Sequence, residues 1–100
     1  MSAIQGSNQY THLAALNAGL QVGPVGTIRL HAVSVNTKGV TANLLTIYDG
    51  TSTAGTVVAI VDTTAQPVTL TFDVVLQVGL FVVLAAGTAA DLTFSWTPGS

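Results

Sequence analysis

The carboxylates and imidazoles that acid–base or metal chemistry would draw on are few. They comprise four aspartates, Asp49, Asp62, Asp73 and Asp91, and two histidines, His12 and His31. A general acid–base pair needs two carboxylates in one cleft with their pKa values pushed apart. These aspartates fall in four separate segments near expected strand ends or turns, and nothing in their spacing makes two converge. Aspartate side chains bond readily to nearby backbone, so turn capping and edge protection are the expected roles. Asp49-Gly50 in particular reads as a hairpin turn. No calcium loop of alternating Asp/Asn with a closing glutamate is present, and the histidines lack the short spacing that would put two imidazoles on one metal. With no cysteine there is neither a thiolate nucleophile nor a sulfur metal site. Gly23-Pro24-Val25-Gly26 lacks the lysine of a phosphate loop and reads as a turn, and no G-x-S-x-G elbow occurs. The expectation is therefore a non-enzyme, with no catalytic, cofactor-binding or metal-ligating residue.

The remaining charge narrows the partners. Arg29 and Lys38 are the two strongly basic residues, and the formal net charge is −2. Binding to nucleic acid rests on several Lys or Arg neutralising phosphates, and an anionic membrane surface makes the same demand, so neither partner is expected. The longest apolar stretches, such as Gly79–Gly87, fall far short of the roughly 20 residues of a membrane-spanning helix. Residues 1–9 lack a basic segment followed by an apolar one, so no leader peptide is expected. Charged residues make up 6% of the chain, against about 25% in ordinary soluble domains. A surface this poor in charge is expected to lie in part against another protein.

The elements that must carry these residues are strands. Glutamate is absent, and β-branched Val and Thr dominate, a composition that suits a pleated surface better than a helix. Turn signals such as Asn17-Ala18-Gly19, Gly23-Pro24, Asp49-Gly50 and Gln77-Val78-Gly79 separate expected strands at about 12–17, 26–36, 41–49, 56–62, 68–75, 80–86 and 91–97. Residues 1–9 form a polar tail, either an anchoring arm or a loose terminus, and residues 10–100 a single all-β domain. That domain is expected to be an antiparallel β-sandwich of about seven to eight strands, jelly-roll-like, although alternation alone does not choose between jelly-roll and immunoglobulin-like strand order.

Alternation assigns faces. Val68, Leu70, Phe72 and Val74 oppose Thr69, Thr71 and Asp73, while Leu92, Phe94 and Trp96 point inward from the last strand, the half-buried pattern of an antiparallel sheet. Arg29 and His31 share a face with Val33 and Val35, either projecting to solvent or placing Arg29 against an aspartate of a neighbouring chain. Two strands are apolar on both sides. Val57, Ala59 and Val61 are backed by Val58 and Ile60, and Leu80, Val82 and Leu84 by Phe81 and Val83. A two-layer sandwich has one inner face per sheet, so the second face needs cover from outside it. Val58, Ile60, Phe81 and Val83 are the expected subunit or capsid interface; cover by a loop or by the tail is the alternative. Tyr10, Tyr48 and Trp96 could form a shelf for a sugar ring, but Trp96 shares a face with Phe94 and Leu92 and reads as core.

The stretch Leu45–Asp62, containing Tyr48-Asp49-Gly50-Thr51-Ser52-Thr53-Ala54-Gly55-Thr56, together with Val78–Val83 and Gly87–Trp96, resembles small all-β virion proteins of tailed bacteriophages. Those carry a similar "LYDGTSASGT" hairpin and a closing "GTAADLTVSY"-type strand, and the similarity covers roughly residues 26–97. The resemblance implies a capsid decoration, or cement, protein on the outer surface of the virion. Such proteins commonly assemble as homotrimers and clamp adjoining major capsid proteins, with no catalytic residue to carry over. A tail or fibre module that binds host-surface glycans is the alternative expectation.

Overall fold

The computed structural model describes residues 9–65 and 68–99. Most of the expected N-terminal tail lies outside the described residues, and Gln9, which it would have included, opens the first strand. Eight strands follow: β1 (Gln9–Leu13), β2 (Asn17–Val22), β3 (Ile28–Thr37), β4 (Leu44–Asp49), β5 (Thr56–Asp62), β6 (Val68–Leu76), β7 (Leu80–Ala85) and β8 (Asp91–Pro98). They form two four-stranded antiparallel sheets, with orders β1-β8-β3-β6 and β2-β7-β4-β5. Every connection crosses from one sheet to the other except the β4–β5 hairpin. This interleaving of two Greek keys is the jelly roll, so the sheet order supplies what alternation left open.

Between the sheets lies one core. The first sheet contributes Leu13, Ile28, Leu30, Val33, Val35, Leu92 and Phe94, and the second Val22, Leu45, Ile47, Leu80, Val82 and Leu84. Burying each of the larger side chains is worth about 1.5–3 kcal/mol as an upper figure. The expected alternation on the last strand holds, with Leu92 and Phe94 fully buried and Trp96 packed against the core's margin.

Three departures from simple alternation change the reading. The expected strand 12–17 is two strands, because the exposed Ala14–Leu16 corner carries the chain from one sheet to the other. Asn17-Ala18-Gly19 is then not a turn but the start of β2, where the register shifts between Asn17 and Leu20. Glycine is required at position 19 because the Phe81 ring lies where a Cβ would stand.

The second departure runs across the first sheet. Leu30 and Ala32 pair with Trp96 and Ser95 of β8, leaving His31 as an extra residue, while on β6 they pair with Val74 and Thr71. Asp73 takes φ 50° at this irregularity. Bulges re-aim side chains, and this one reverses the phase of β3. Arg29 and His31 therefore do not share a face with Val33 and Val35, which are buried. Asp73 is also not at a strand end as expected, but well inside β6.

The third departure is in β5. Ile47 pairs with Ala59 and Tyr48 with Val57, so Val58 is the extra residue. It packs against the core with Ala59 and Val61.

Both ends of the sandwich are tied by a polar residue at an end of β4, Asn43 just before the strand and Asp49 as its last residue. At one end the buried Asn43 donates through Nδ2 to the carbonyls of Ala85 (3.3 Å) and Ala86 (2.8 Å). Its Oδ1 accepts from Thr63 Oγ1 (2.6 Å) and from the Ala90 amide (3.1 Å). A buried amide with both donors and its acceptor engaged avoids the cost of an unmade bond. At the other end the Asp49 carboxylate accepts from the backbone amides of Val78 (2.8 Å), Gln77 (3.1 Å) and Gly79 (3.4 Å). Partial desolvation works to raise the Asp49 pKa, but those amides outweigh it and hold the carboxyl below its ordinary value.

Candidate interaction face

The outer face of the second sheet is built in rows set by strand register. One row runs Gln21, Phe81, Tyr48, Val57; the next Val83, Thr46, Ile60; the third Ala85, Leu44, Asp62. Directly opposed side chains on one face are contact neighbours, so these rows form one surface. Phe81 rests on Gly19 and meets the Tyr48 ring edge-on, with centroids 6.2 Å apart. Ile60 is 63% exposed, Val57 50% and Leu44 42%. Asp62 is the sole carboxylate in these rows, at their margin. It is bonded to Thr64 through the hydroxyl (2.6 Å) and the amide (2.9 Å), bonds that hold its pKa down in that order.

Of the four residues expected from sequence, Ile60, Phe81 and Val83 share this face on adjoining rows. Val58 does not, because the β5 bulge turns it to the core, and Val57 takes the outward position instead. Leu44 and Tyr48 were missed as members. Their signal was legible, since Leu44, Thr46 and Tyr48 alternate with the buried Leu45 and Ile47. Nothing in Gly55-Thr56-Val57-Val58 marks which of its two valines turns inward.

The other outer face has the opposite chemistry. Its rows run His12, Thr93, Ser34, Thr69; then Tyr10, Ser95, Ala32, Thr71; then Thr97, Arg29, Val75. Ser34 and Thr69 hydroxyls bond at 3.2 Å, and Asn36 Nδ2 donates to Thr93 Oγ1 and Asp91 Oδ1, each at 3.0 Å. His12 Nε2 meets Asp91 Oδ1 at 2.7 Å. The bonds from Asn36 and then His12 lower the Asp91 pKa. His31 Nδ1 meets Asp73 Oδ1 at 2.6 Å, joining the irregular positions of β3 and β6 across the sheet. Arg29 is exposed.

The aspartates thus have separate duties. Asp49 and Asp62 cap turns, whereas Asp73 and Asp91 pair with different histidines. Among the described residues no three His, Asp or Glu side chains gather where a metal ion could sit. The three aromatics considered as a sugar shelf are apart: Tyr10 on the first sheet's outer face, Tyr48 on the second's, and Trp96 at the core margin, its indole donating to Thr11 Oγ1 at 3.0 Å. A shallow, mostly apolar depression of about 440 Å³ lies beside the second sheet between Leu16–Ala18 and Val83–Ala86. The Asn17 amide at its wall has both polar atoms shielded and without a bonding partner, where β2 leaves register with β7. No protein-family model matches the chain, and no curated protein matches it.

Proposed function

We propose that the chain is a non-enzymatic structural protein of a virion. In this reading it is a capsid decoration, or cement, protein on the outer surface of a tailed-phage head, which self-associates and bridges neighbouring major capsid proteins. The observation that carries the binding role is the apolar outer face of the second sheet, charged only at its margin by Asp62, where Phe81, Tyr48, Val57, Val83, Ile60 and Leu44 stand in register. Contiguous exposed apolar surface of this kind marks interaction sites, and its burial supplies the association energy. The setting comes from the sequence resemblance over residues 26–97.

Clamping a shell requires area and shape rather than reactive groups. A protein that binds the assembled shell but not its separated subunits stabilises the shell by mass action. Heads carrying the protein are expected to survive heat and low-salt challenge that opens heads lacking it; equal survival defeats the cementing role. Immuno-electron microscopy of intact particles is expected to label heads. Label on the tails, with measurable affinity for glycans, would favour the rival reading of a host-binding module.

A further inference from the structure

Asp49-Gly50 is the chain's single Asp-Gly dipeptide, and no asparagine precedes a glycine. In such a pair the glycine nitrogen can attack the aspartate side-chain carboxyl carbon. A C–N bond forms, a C–O bond breaks and water leaves, giving a five-membered succinimide. Solvent water then opens the ring at either carbonyl. One opening restores aspartate; the other leaves isoaspartate, whose backbone runs through the side-chain carbons and is one methylene longer. Glycine favours the attack because it has no Cβ to crowd the nitrogen and its backbone turns freely to the angle required. The other aspartates precede Thr63, Val74 and Leu92, whose side chains hinder the same approach.

The fold requires this vulnerable pair. A Cβ on Gly50 would stand 2.9 Å from Gly55 Cα, and one on Gly55 2.7 Å from the Asp49 carbonyl oxygen, so the tip of the β4–β5 hairpin closes backbone against backbone. The fold also holds both reacting groups. Gly50 is buried, and its N–H donates to the Gly79 carbonyl at 2.9 Å. Asp49 Oδ1 accepts from the Val78 (2.8 Å) and Gly79 (3.4 Å) amides, and Oδ2 from the Gln77 amide (3.1 Å). Hydrogen bonds to a carboxylate are charge-assisted and stronger than neutral ones. Attack needs the nitrogen to release its proton and the carboxyl carbon to turn toward it. Here the proton is engaged, and both carboxylate oxygens are fixed to the β6–β7 connection. Against partial desolvation, the three amides also keep the carboxyl ionised, which is its poorer electrophilic form.

We propose that Asp49 is the chain's site of isoaspartate formation and that the β6–β7 connection gates it. The reaction is shut while residues 77–79 hold the carboxylate and opens when they let go. Local openings of this kind cost less than global unfolding, so the rate is set by this end of the sandwich. The change locks itself in. Isoaspartate carries its free carboxylate directly on Cα and feeds Gly50 through a longer backbone. The carboxylate then no longer lies opposite the three amides, and the Gly50 N–H no longer meets Gly79. A passing opening thereby becomes a permanent one, and the chain that suffered it is chemically marked. None of this depends on the virion role above.

The test incubates the purified full chain in warm neutral buffer, either folded or unfolded in guanidinium chloride, and reads isoaspartate peptide by peptide by mass spectrometry. Isoaspartate is expected to gather at position 49 in the unfolded chain and to form there at least about tenfold more slowly in the folded one. Val78→Pro removes the donor of the shortest bond at a half-exposed position and is expected to raise the folded rate several-fold. Circular dichroism checks that this variant keeps its strands. If it does not, amide exchange in the unmodified chain takes its place: under sub-denaturing guanidinium, exchange at Gly50, Val78 and Gly79 is expected to rise in step with isoaspartate. Equal rates in folded and unfolded chains, or isoaspartate concentrated at Asp62, Asp73 or Asp91, overturns the site. A folded rate unmoved by Val78→Pro, or one that ignores the exchange of those amides, overturns the gate. The isoaspartate-bearing chain, separated and refolded, is expected to melt below the unmodified one; an equal midpoint overturns the locking step.

Discussion

The two outer faces of the sandwich are made by the same kind of element, yet their chemistry is opposite. On the first sheet, Ser34, Asn36, Thr69, Thr93, His12, Asp91, His31 and Asp73 bond to one another across strands. On the second, the corresponding rows offer Phe81, Tyr48, Val57, Val83, Ile60 and Leu44, with Thr46 between them. A face of short polar side chains completes its bonds within the chain and with water; an apolar face gains only by being covered. Composition is thus distributed by face, and the chain's scarcity of charge is concentrated where a partner would sit.

The largest expected effect comes from breaking both faces at once. Asn43 ties the β3–β4, β5–β6 and β7–β8 connections, each of which joins the two sheets. Asn43→Ala leaves the Ala90 amide and the Ala85 and Ala86 carbonyls short of a partner, while the Thr63 hydroxyl keeps its bond to the residue-43 carbonyl. A loss of about 2–4 kcal/mol is expected, read from the urea midpoint at unchanged slope. A loss below about 1 kcal/mol would show that water replaces the amide there.

Phe81→Ala separates the faces. It removes the ring that lies over Gly19 and meets Tyr48, at a cost of about 1.5–3 kcal/mol for a side chain that is only partly buried. Amide exchange is expected to quicken in β2, β4 and β7 before it does in β3 and β8. Uniform quickening would mean that the two sheets do not open separately.

Acid acts on Asp91 of the other face, on the Asp49 end and on Asp62 at the apolar face's margin. Asp91 and Asp49 both have folded pKa values below their ordinary ones. The stability they contribute is fully present above the unfolded aspartate pKa and is lost as pH falls through the depressed folded values. Asn36→Ala removes the leading cause of the Asp91 depression, so its carboxyl titration followed by NMR is expected to move up while that of Asp49 stays. An unmoved Asp91 would mean that the His12 contact alone holds it.

Much of this division was legible before any fold was known. The alternation in 68–74 and 91–97 gave the core side of the first sheet, and the double-sided apolar runs 56–62 and 80–85 pointed to the second sheet's outer face. What escaped was set by residues that change phase. His31 and Val58 are ordinary strand formers, and each is an extra residue only because its neighbours' pairing leaves it unopposed. The two-strand start was hidden because Leu13–Leu16 is apolar whether it forms a strand or a corner. Asn43 was invisible for a related reason: a lone asparagine before a strand reads as a loop residue, and its four bonds depend on three connections that meet only in the folded chain.

The smallest expected effect bears hardest on the comparison. Ile60 is the most exposed large apolar side chain of these rows, paired with Thr46 on one side and with nothing described on the other. If it served the fold, its replacement would cost what a core isoleucine costs, about 2 kcal/mol or more. Because it stands mostly in solvent on an edge strand, Ile60→Thr keeps the β-branched backbone preference and gives up little burial. Stability of the dilute single chain is expected to stay within about 0.5 kcal/mol of the unmodified protein, as for other surface positions. At concentrations that favour self-association, the unmodified chain should gain thermal stability with concentration, and Ile60→Thr should gain less. A large loss in the dilute chain would make Ile60 part of the core, and the apolar face would then shrink to the Phe81, Tyr48 and Val57 row.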